Sequence, residues 1–332
     1  MSEAPILRVE DLQMYITTPE WTLRAVNGIS FDVRKGEALG IVGESGSGKT
    51  MLALSMIGHP PPPYGRIVGG RVLYRDTNLL DAAAARSVIG SRIGYVFENP
   101  GSSLDPCYRI GAQIAETIQA HEAVSATEAR RRAVELLGLV GIPDPMSACD
   151  AYPHQFSGGM QQRAVIAIAL SCNPEILIAD SPTSALDVTI QNQIVALIER
   201  LRQQFGLTLV WISHNLGVVA RLCNRLAIMY AGNVMEMGEV EQVIHRPVHP
   251  YARALVGMSK EIGRGKTLNS IPGAQPKVYD DITRCLFAPR CPRVEPRCRE
   301  RPISMVRLGA AHHVRCVLAD EERSDAGHPV PG

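Results

Sequence analysis

Gly43-Glu44-Ser45-Gly46-Ser47-Gly48-Lys49-Thr50 decides the fold. The stretch fits G-x-x-x-x-G-K-[ST], a loop that cradles phosphate when it joins a strand to a helix. Both neighbours are present. Upstream, Ala38-Leu39-Gly40-Ile41-Val42 is a short apolar run that reads as a buried strand. Downstream, a helix begins at about Lys49 and is stopped by the prolines at 60–63. Glycines let successive amides converge on a β-phosphate, and the helix N-terminus adds a favourable dipole. Lys49 is expected to reach the β- and γ-phosphates, and the Thr50 hydroxyl to ligate Mg²⁺.

Outward from this loop, strands and helices alternate. Ile6-Leu7-Arg8-Val9 and Gly28-Ile29-Ser30-Phe31-Asp32-Val33 read as antiparallel strands. Residues 112–150 read as helical, and Gly158-Gly159 open another helix. Ile176-Leu177-Ile178-Ala179 is a second buried strand, followed by a helix over about 190–203, a strand over 207–213 and another from Leu226. The pattern predicts an α/β core with a parallel sheet, an antiparallel β subdomain and an inserted helical subdomain over about 105–170. Beyond His249-Pro250 the composition shifts to Pro, Gly, Cys and Arg. We therefore expect a core domain over 1–260 and a small Cys-containing extension over 261–332.

Composition removes several classes of function. With 34 basic and 33 acidic residues in 332, the chain lacks the broad basic surface of a nucleic-acid protein. Its N-terminus has no basic start followed by an apolar stretch, and no apolar run approaches the ~20 residues of a membrane-spanning helix. A soluble, cytoplasmic chain is expected, held at any membrane by other subunits.

Asp180 ends the second buried strand, where a carboxylate can hold Mg²⁺ directly or through water. Next comes Phe156-Ser157-Gly158-Gly159-Met160-Gln161-Gln162-Arg163. This stretch resembles the signature motif of ABC ATPases, whose Ser and Gly amides contact a nucleotide held by the opposite subunit. Supporting marks follow in family order. Ser184-Ala185-Leu186-Asp187 resembles the D-loop, and His214 resembles the switch histidine that contacts the γ-phosphate. Tyr15 resembles the adenine-stacking aromatic, with Trp21 as runner-up. Finer marks include Ser102-Ser103-Leu104-Asp105-Pro106, Met229-Tyr230-Ala231-Gly232, His249-Pro250-Tyr251 and Ile271-Pro272-Gly273. They resemble oligopeptide, dipeptide and nickel importer ATPases, and the resemblance spans residues 5–320.

That resemblance implies an ATP- and Mg²⁺-dependent ATPase on the cytoplasmic face of the membrane. Its partners would be a second ATPase subunit, two integral membrane permease subunits and a substrate-binding protein, with the segment 96–105 receiving a permease helix. Two positions depart from the family pattern. Ser181 stands where the family places the Glu that polarises water, and loss of a positioned base costs about 10²–10⁴ in rate. Glu98 stands where the family has Gln, touching Mg²⁺ and water. Either this chain's own site is degenerate, which we favour, or Glu98 supplies the missing carboxylate. A degenerate site would require a different polypeptide as the partner ATPase. The rival classes are a soluble ABC ATPase of DNA repair or translation and a purely regulatory nucleotide-binding subunit.

The tail carries Cys285, Cys291, Cys298 and Cys316. Their spacing lacks the close C-x2-C pairs of common zinc sites and leaves metal ligands and free thiols both open. The family resemblance implies a [4Fe–4S] cluster, with zinc as the alternative.

Overall fold

The structure is a computed structural model that describes residues 4–184, 186–262, 271–279, 284–300, 302–309 and 311–319. In chain order its elements begin with β1 (Leu7–Thr17), β2 (Thr22–Val33), β3 (Ala38–Val42), α1 (Lys49–Met56), β4 (Gly65–Tyr74), β5 (Thr77–Asn78), α2 (Ala82–Arg86) and β6 (Ile93–Val96). Helices follow: α3 (Pro100–Ser103), α4 (Ile110–His121), α5 (Ala126–Leu139), α6 (Pro145–Asp150) and α7 (Gly158–Ala169). Next are β7 (Ile176–Asp180), α8 (Val188–Phe205), β8 (Thr208–Ser213), α9 (Leu216–Leu222), β9 (Arg225–Tyr230) and β10 (Asn233–Glu239). The chain closes with α10 (Val240–His245), α11 (Pro250–Ile262), α12 (Arg297–Glu300), β11 (Val306–Arg307) and β12 (His313–Val314). Among the described residues no helix is long and apolar enough to cross a membrane.

These elements form two compact units. The first takes the described residues of Met1–Leu7, Val33–Ala38 and Leu73–Ile212. Here β6, β7 and β8 run parallel in register, Val96 beside Ala179 and Asp180 beside Ile212. Ile176–Asp180 is buried throughout because a parallel sheet is covered on both faces, which is why its sequence shows no alternation. The inserted helices pair α4 with α5. Ile110, Ile114 and Ile118 bury one face of α4; Ala129, Ala133 and Leu137 bury one face of α5, each at the i, i+4 spacing of a helical stripe. Ser125 caps α5 by accepting the Glu128 N–H at 3.2 Å.

The second unit takes the described residues of Arg8–Asp32, Leu39–Val72 and Ser213–Gly332. In it β3 pairs parallel with β9, and β9 turns back antiparallel into β10. Ala231 and Gly232, at φ +46° and +77°, make the two-residue hairpin turn, both in the left-handed region that such turns need. β2, β1 and β4 lie side by side in another sheet. The tail is more closely integrated than its composition suggests. β12 pairs antiparallel with β10, Val314 beside Glu236, and so extends the sheet of the phosphate-binding strand. Glu236 is wholly buried there. Its carboxylate accepts the N–H of Val248 at 3.0 Å, that of His249 at 2.7 Å, and His312 Nε2 at 2.9 Å. Each buried oxygen thus has partners, as a desolvated carboxylate requires.

Candidate functional site

Strand β3 delivers the chain into the phosphate loop, and close backbone approach dictates its glycines. A Cβ at Gly43 would meet Met229 O at 2.3 Å, and one at Gly48 would meet Ala25 O at 2.2 Å. Gly48, at φ +97°, caps the N-terminus of α1, and Gly46 at φ +78° shapes the exposed tip beside Ser45. Lys49 is 9% exposed. Its ammonium donates to Gly43 O and Glu44 O, both at 2.9 Å, and to Ser47 Oγ at 3.3 Å. Ser47 is buried and its carbonyl accepts the Gly232 N–H at 2.9 Å, tying the loop to the hairpin turn. Thr50 lies in the first turn of α1.

Glu44 is held from behind by residues that sequence reading did not select as site residues. Tyr251 Oη accepts its N–H at 3.0 Å. The Arg290 guanidinium grips its carboxylate at 2.7 and 3.0 Å. The signal was partly present, because Tyr251 and Tyr230 lie in segments already picked out as family marks. Tyr15, Trp21 and His214 belong to this same unit. Tyr15 carries the Arg24 guanidinium 5.1 Å from its ring centre, Trp21 meets Tyr279 edge-on at 5.9 Å, and His214 is exposed.

The other unit gathers the acidic residues. Asp180 is 2% exposed at the end of β7, and its Oδ2 accepts the Tyr95 hydroxyl at 3.3 Å. Burial, then the negative charges of Asp180 and Glu98, push the Tyr95 phenol well above its ordinary range. Glu98 is exposed, and its Oε1 accepts the Ser184 hydroxyl at 3.1 Å. Glu98 and the loop after Asp180 are therefore brought together. Ser181 takes φ +47°, a left-handed conformation that costs a side-chain-bearing residue roughly 1–2 kcal/mol, and its N–H donates to Ile212 O at 2.9 Å.

Ser157 caps α7 by accepting the Met160 N–H at 3.3 Å, which leaves Ser157 and Gly158 exposed at a helix N-terminus. A Cβ at Gly159 would meet Ile190 Cγ2 at 2.8 Å. Gln161 faces inward instead, donating to Pro153 O at 2.9 Å. Asp187 caps α8 through the N–H groups of Thr189 and Ile190, both at 3.0 Å. Ala185 of the D-loop lies outside the described residues.

The tail cysteines require a correction. Among the described residues no three His, Cys, Asp or Glu side chains are grouped so as to hold a metal ion. The iron-sulfur cluster expected on Cys285, Cys291, Cys298 and Cys316 is therefore not upheld, nor is zinc in its place. All four are free thiols. Cys298 and Cys316 are buried with Val248 and Val314, and Cys285 packs against that core. Burial pushes the thiol of Cys285 up to about 11 and that of Cys316 up to about 12, so both stay protonated. They serve as small apolar side chains.

A phosphate loop, a buried acid at a strand end and a Ser-Gly-Gly helix start define an ATP-binding cassette. Comparison with known proteins agrees. The family model described as ABC transporter matches residues 26–184, and that described as oligopeptide/dipeptide transporter, C-terminal region, matches 235–298. A probable peptide ABC transporter ATP-binding protein of Sinorhizobium fredii is 44% identical, over 95% of this chain and 96% of its own. The dipeptide transport ATP-binding protein DppD of Escherichia coli is 41% identical, over 98% and 99%. A dimeric ATP-binding cassette solved after hydrolysis with ADP and phosphate superposes with a TM-score of 0.62 at 27% identity, over 70% of this chain and 98% of that one. The chain belongs to the family of ABC transporter ATP-binding proteins that carry the oligopeptide/dipeptide C-terminal region.

Proposed function

We propose that the chain is an ATP-binding motor subunit of an importer for peptides or similar small solutes. The observation that carries this reading is the coexistence of two half-sites on one chain. One is the phosphate loop with its Lys49 ammonium already gathered over the Gly43 and Glu44 carbonyls. The other is the exposed Ser157-Gly158 start of α7. In this reading the first receives this chain's ATP and the second completes a partner's site. The names of its relatives support peptides as the solute class.

The donors fit the expected chemistry. By residue type, Thr50, Asp180 and Glu98 are each candidates for the oxygen ligands that Mg²⁺ takes, and a bound ion would neutralise phosphate charge. Lys49 fixes the β- and γ-phosphates by a charge-assisted contact, and the α1 amides orient them. In this reading His214 would sense the γ-phosphate, Tyr15 or Trp21 would stack on the adenine, and Asp187 and Gln161 would belong to the nucleotide-binding set, Gln161 by holding the loop before α7 through Pro153 O at 2.9 Å. Closure of two such subunits would drive paired permease subunits fed by a binding protein, from the cytoplasmic face of the membrane. The segment 96–105 would receive a permease helix.

Within that assembly this chain's own site is read as degenerate, because Ser181 offers no base. Its partner ATPase is accordingly a different polypeptide. The Glu98–Ser184 hydrogen bond supports a second reading, since it draws the Glu98 carboxylate to the loop that carries Ser181. Co-purification with membrane permeases tests the motor role, and a chain that isolates without them and turns over ATP alone would contradict it. Turnover by Glu98→Gln in the assembled complex separates the two readings of the site: arrest favours Glu98 as base.

A further inference from the structure

We propose that Arg290 of the C-terminal tail is a positioning residue for nucleotide binding, holding the phosphate loop through Glu44 in the conformation that receives ATP. The inference rests on the reading of Gly43–Thr50 as a phosphate cradle. Arg290 and Glu44 lie 246 residues apart in sequence, yet they form a two-pronged ion pair at 2.7 and 3.0 Å. Such a fork fixes orientation as well as distance, which a lysine's point charge does not.

The guanidinium is set with unusual completeness. Nε donates to Pro272 O at 2.8 Å and Nη2 to Ile271 O at 3.1 Å, and Nη1 reaches the Tyr230 hydroxyl at 3.3 Å. Its centre lies 5.7 Å from the Tyr230 ring and 6.0 Å from that of Phe287. The Arg290 side chain is 6% exposed and Glu44 25%. A charge this desolvated needs its counter-charge, so Arg290 holds Glu44 firmly.

On the loop side, Glu44 takes three of the constraints. Glu44 gives its carboxylate to Arg290, its N–H to Tyr251 and its carbonyl to Lys49. Where Glu44 rests therefore helps to set where the Lys49 ammonium rests, together with Gly43 O and Ser47 Oγ. The cradle's glycines leave its backbone many alternatives, and an anchor outside the loop selects among them in advance. Such preorganisation appears as affinity.

The test titrates the full-length chain with fluorescent MANT-ATP and Mg²⁺, and follows thermal unfolding without nucleotide in parallel. Arg290→Gln and Glu44→Gln should each weaken binding by about tenfold. The double variant should be no weaker than the worse single one, because both act on one contact. Arg290→Lys should fall between wild type and Arg290→Gln. Lowered unfolding temperature with wild-type affinity in Arg290→Gln would make Arg290 mere glue for the tail and overturn the proposal, as would additive losses in the double variant. Should Arg290→Gln not fold, Arg290→Lys decides: wild-type affinity refutes, intermediate affinity supports. Undiminished binding by Lys49→Ala would bring down the cradle reading itself, and that signature is distinct from failure of the anchor.

Discussion

Glu236 Oε1 and His312 Nε2 lie 2.9 Å apart with both side chains sealed from solvent, and 76 residues separate them in sequence. A carboxylate only accepts, so the imidazole donates. With the N–H groups of Val248 and His249 on the same carboxylate, this is the polar pin between tail and core. Glu236→Ala leaves all three donors buried without an acceptor and should cost ~3–5 kcal/mol. Glu236→Gln keeps one acceptor oxygen and should cost less. Urea unfolding of the two variants measures the order, and equal losses would contradict it.

Stability should fall in mild acid through His249. Its ring is fully buried, which pushes the imidazole down to about 3, while Nδ1 accepts the Tyr251 N–H at 3.0 Å. Unfolded, it titrates near its ordinary 6.5. Between these values the unfolded chain binds a proton that the folded chain refuses, so stability drops as pH falls through 6.5 toward 3, by at most ~1.4 kcal/mol per pH unit. His249→Asn retains an acceptor for Tyr251 and cannot titrate. Its urea midpoint should change less than that of wild type between pH 7 and 5; identical slopes would dismiss His249 as the source.

On the degenerate reading of this chain's own site, the two composite sites of an assembled transporter should respond oppositely to mutation. Ser157→Arg places a long side chain at the exposed start of α7 and should abolish most ATP turnover. Ser181→Ala should leave turnover within about twofold, because removing a working base typically costs 10²–10⁴ and a serine is not one. Steady-state phosphate release from the complex in membranes reads both. Arrest by Ser181→Ala would show that this chain's own site turns over.

Thiol reactivity should follow burial. Cys107 is exposed, whereas the thiols of Cys285 and Cys316 are raised to about 11 and about 12. At pH 8 roughly one in a thousand Cys285 side chains is then thiolate. Ellman's reagent on the native chain should label Cys107 first and Cys316 well after it. Equal rates at Cys107 and Cys316 would mean the tail core is open.

The sequence revealed most where chemistry forces a residue type. Lys49, Thr50 and Asp180 stand on the elements foreseen for them, because a phosphate loop tolerates few substitutions. Buried parallel strands were legible as uninterrupted apolar runs. β10 escaped notice, since Asn233-Val234-Met235-Glu236-Met237 mixes a buried carboxylate into a strand, and its partners at 248–249 and 312 are remote in sequence. The seat of Arg290 was hidden for the same reason. The cysteine tail misled because spacing left ligands and free thiols both open and the family resemblance pointed towards a cluster, whereas apolar packing also gathers cysteines.

Synthesis order adds a consequence to the Glu44–Arg290 ion pair. The phosphate loop leaves the ribosome 246 residues ahead of the arginine that anchors it. At 5–20 residues per second that interval is roughly 12–50 s, long compared with the formation of the surrounding strands. During it the nascent chain carries a cradle without its anchor. A newborn subunit should therefore gain its full grip on ATP only after Arg290 emerges, which delays nucleotide loading to a late point in synthesis. MANT-ATP binding to ribosome-arrested chains ending before and after residue 290 would register the step.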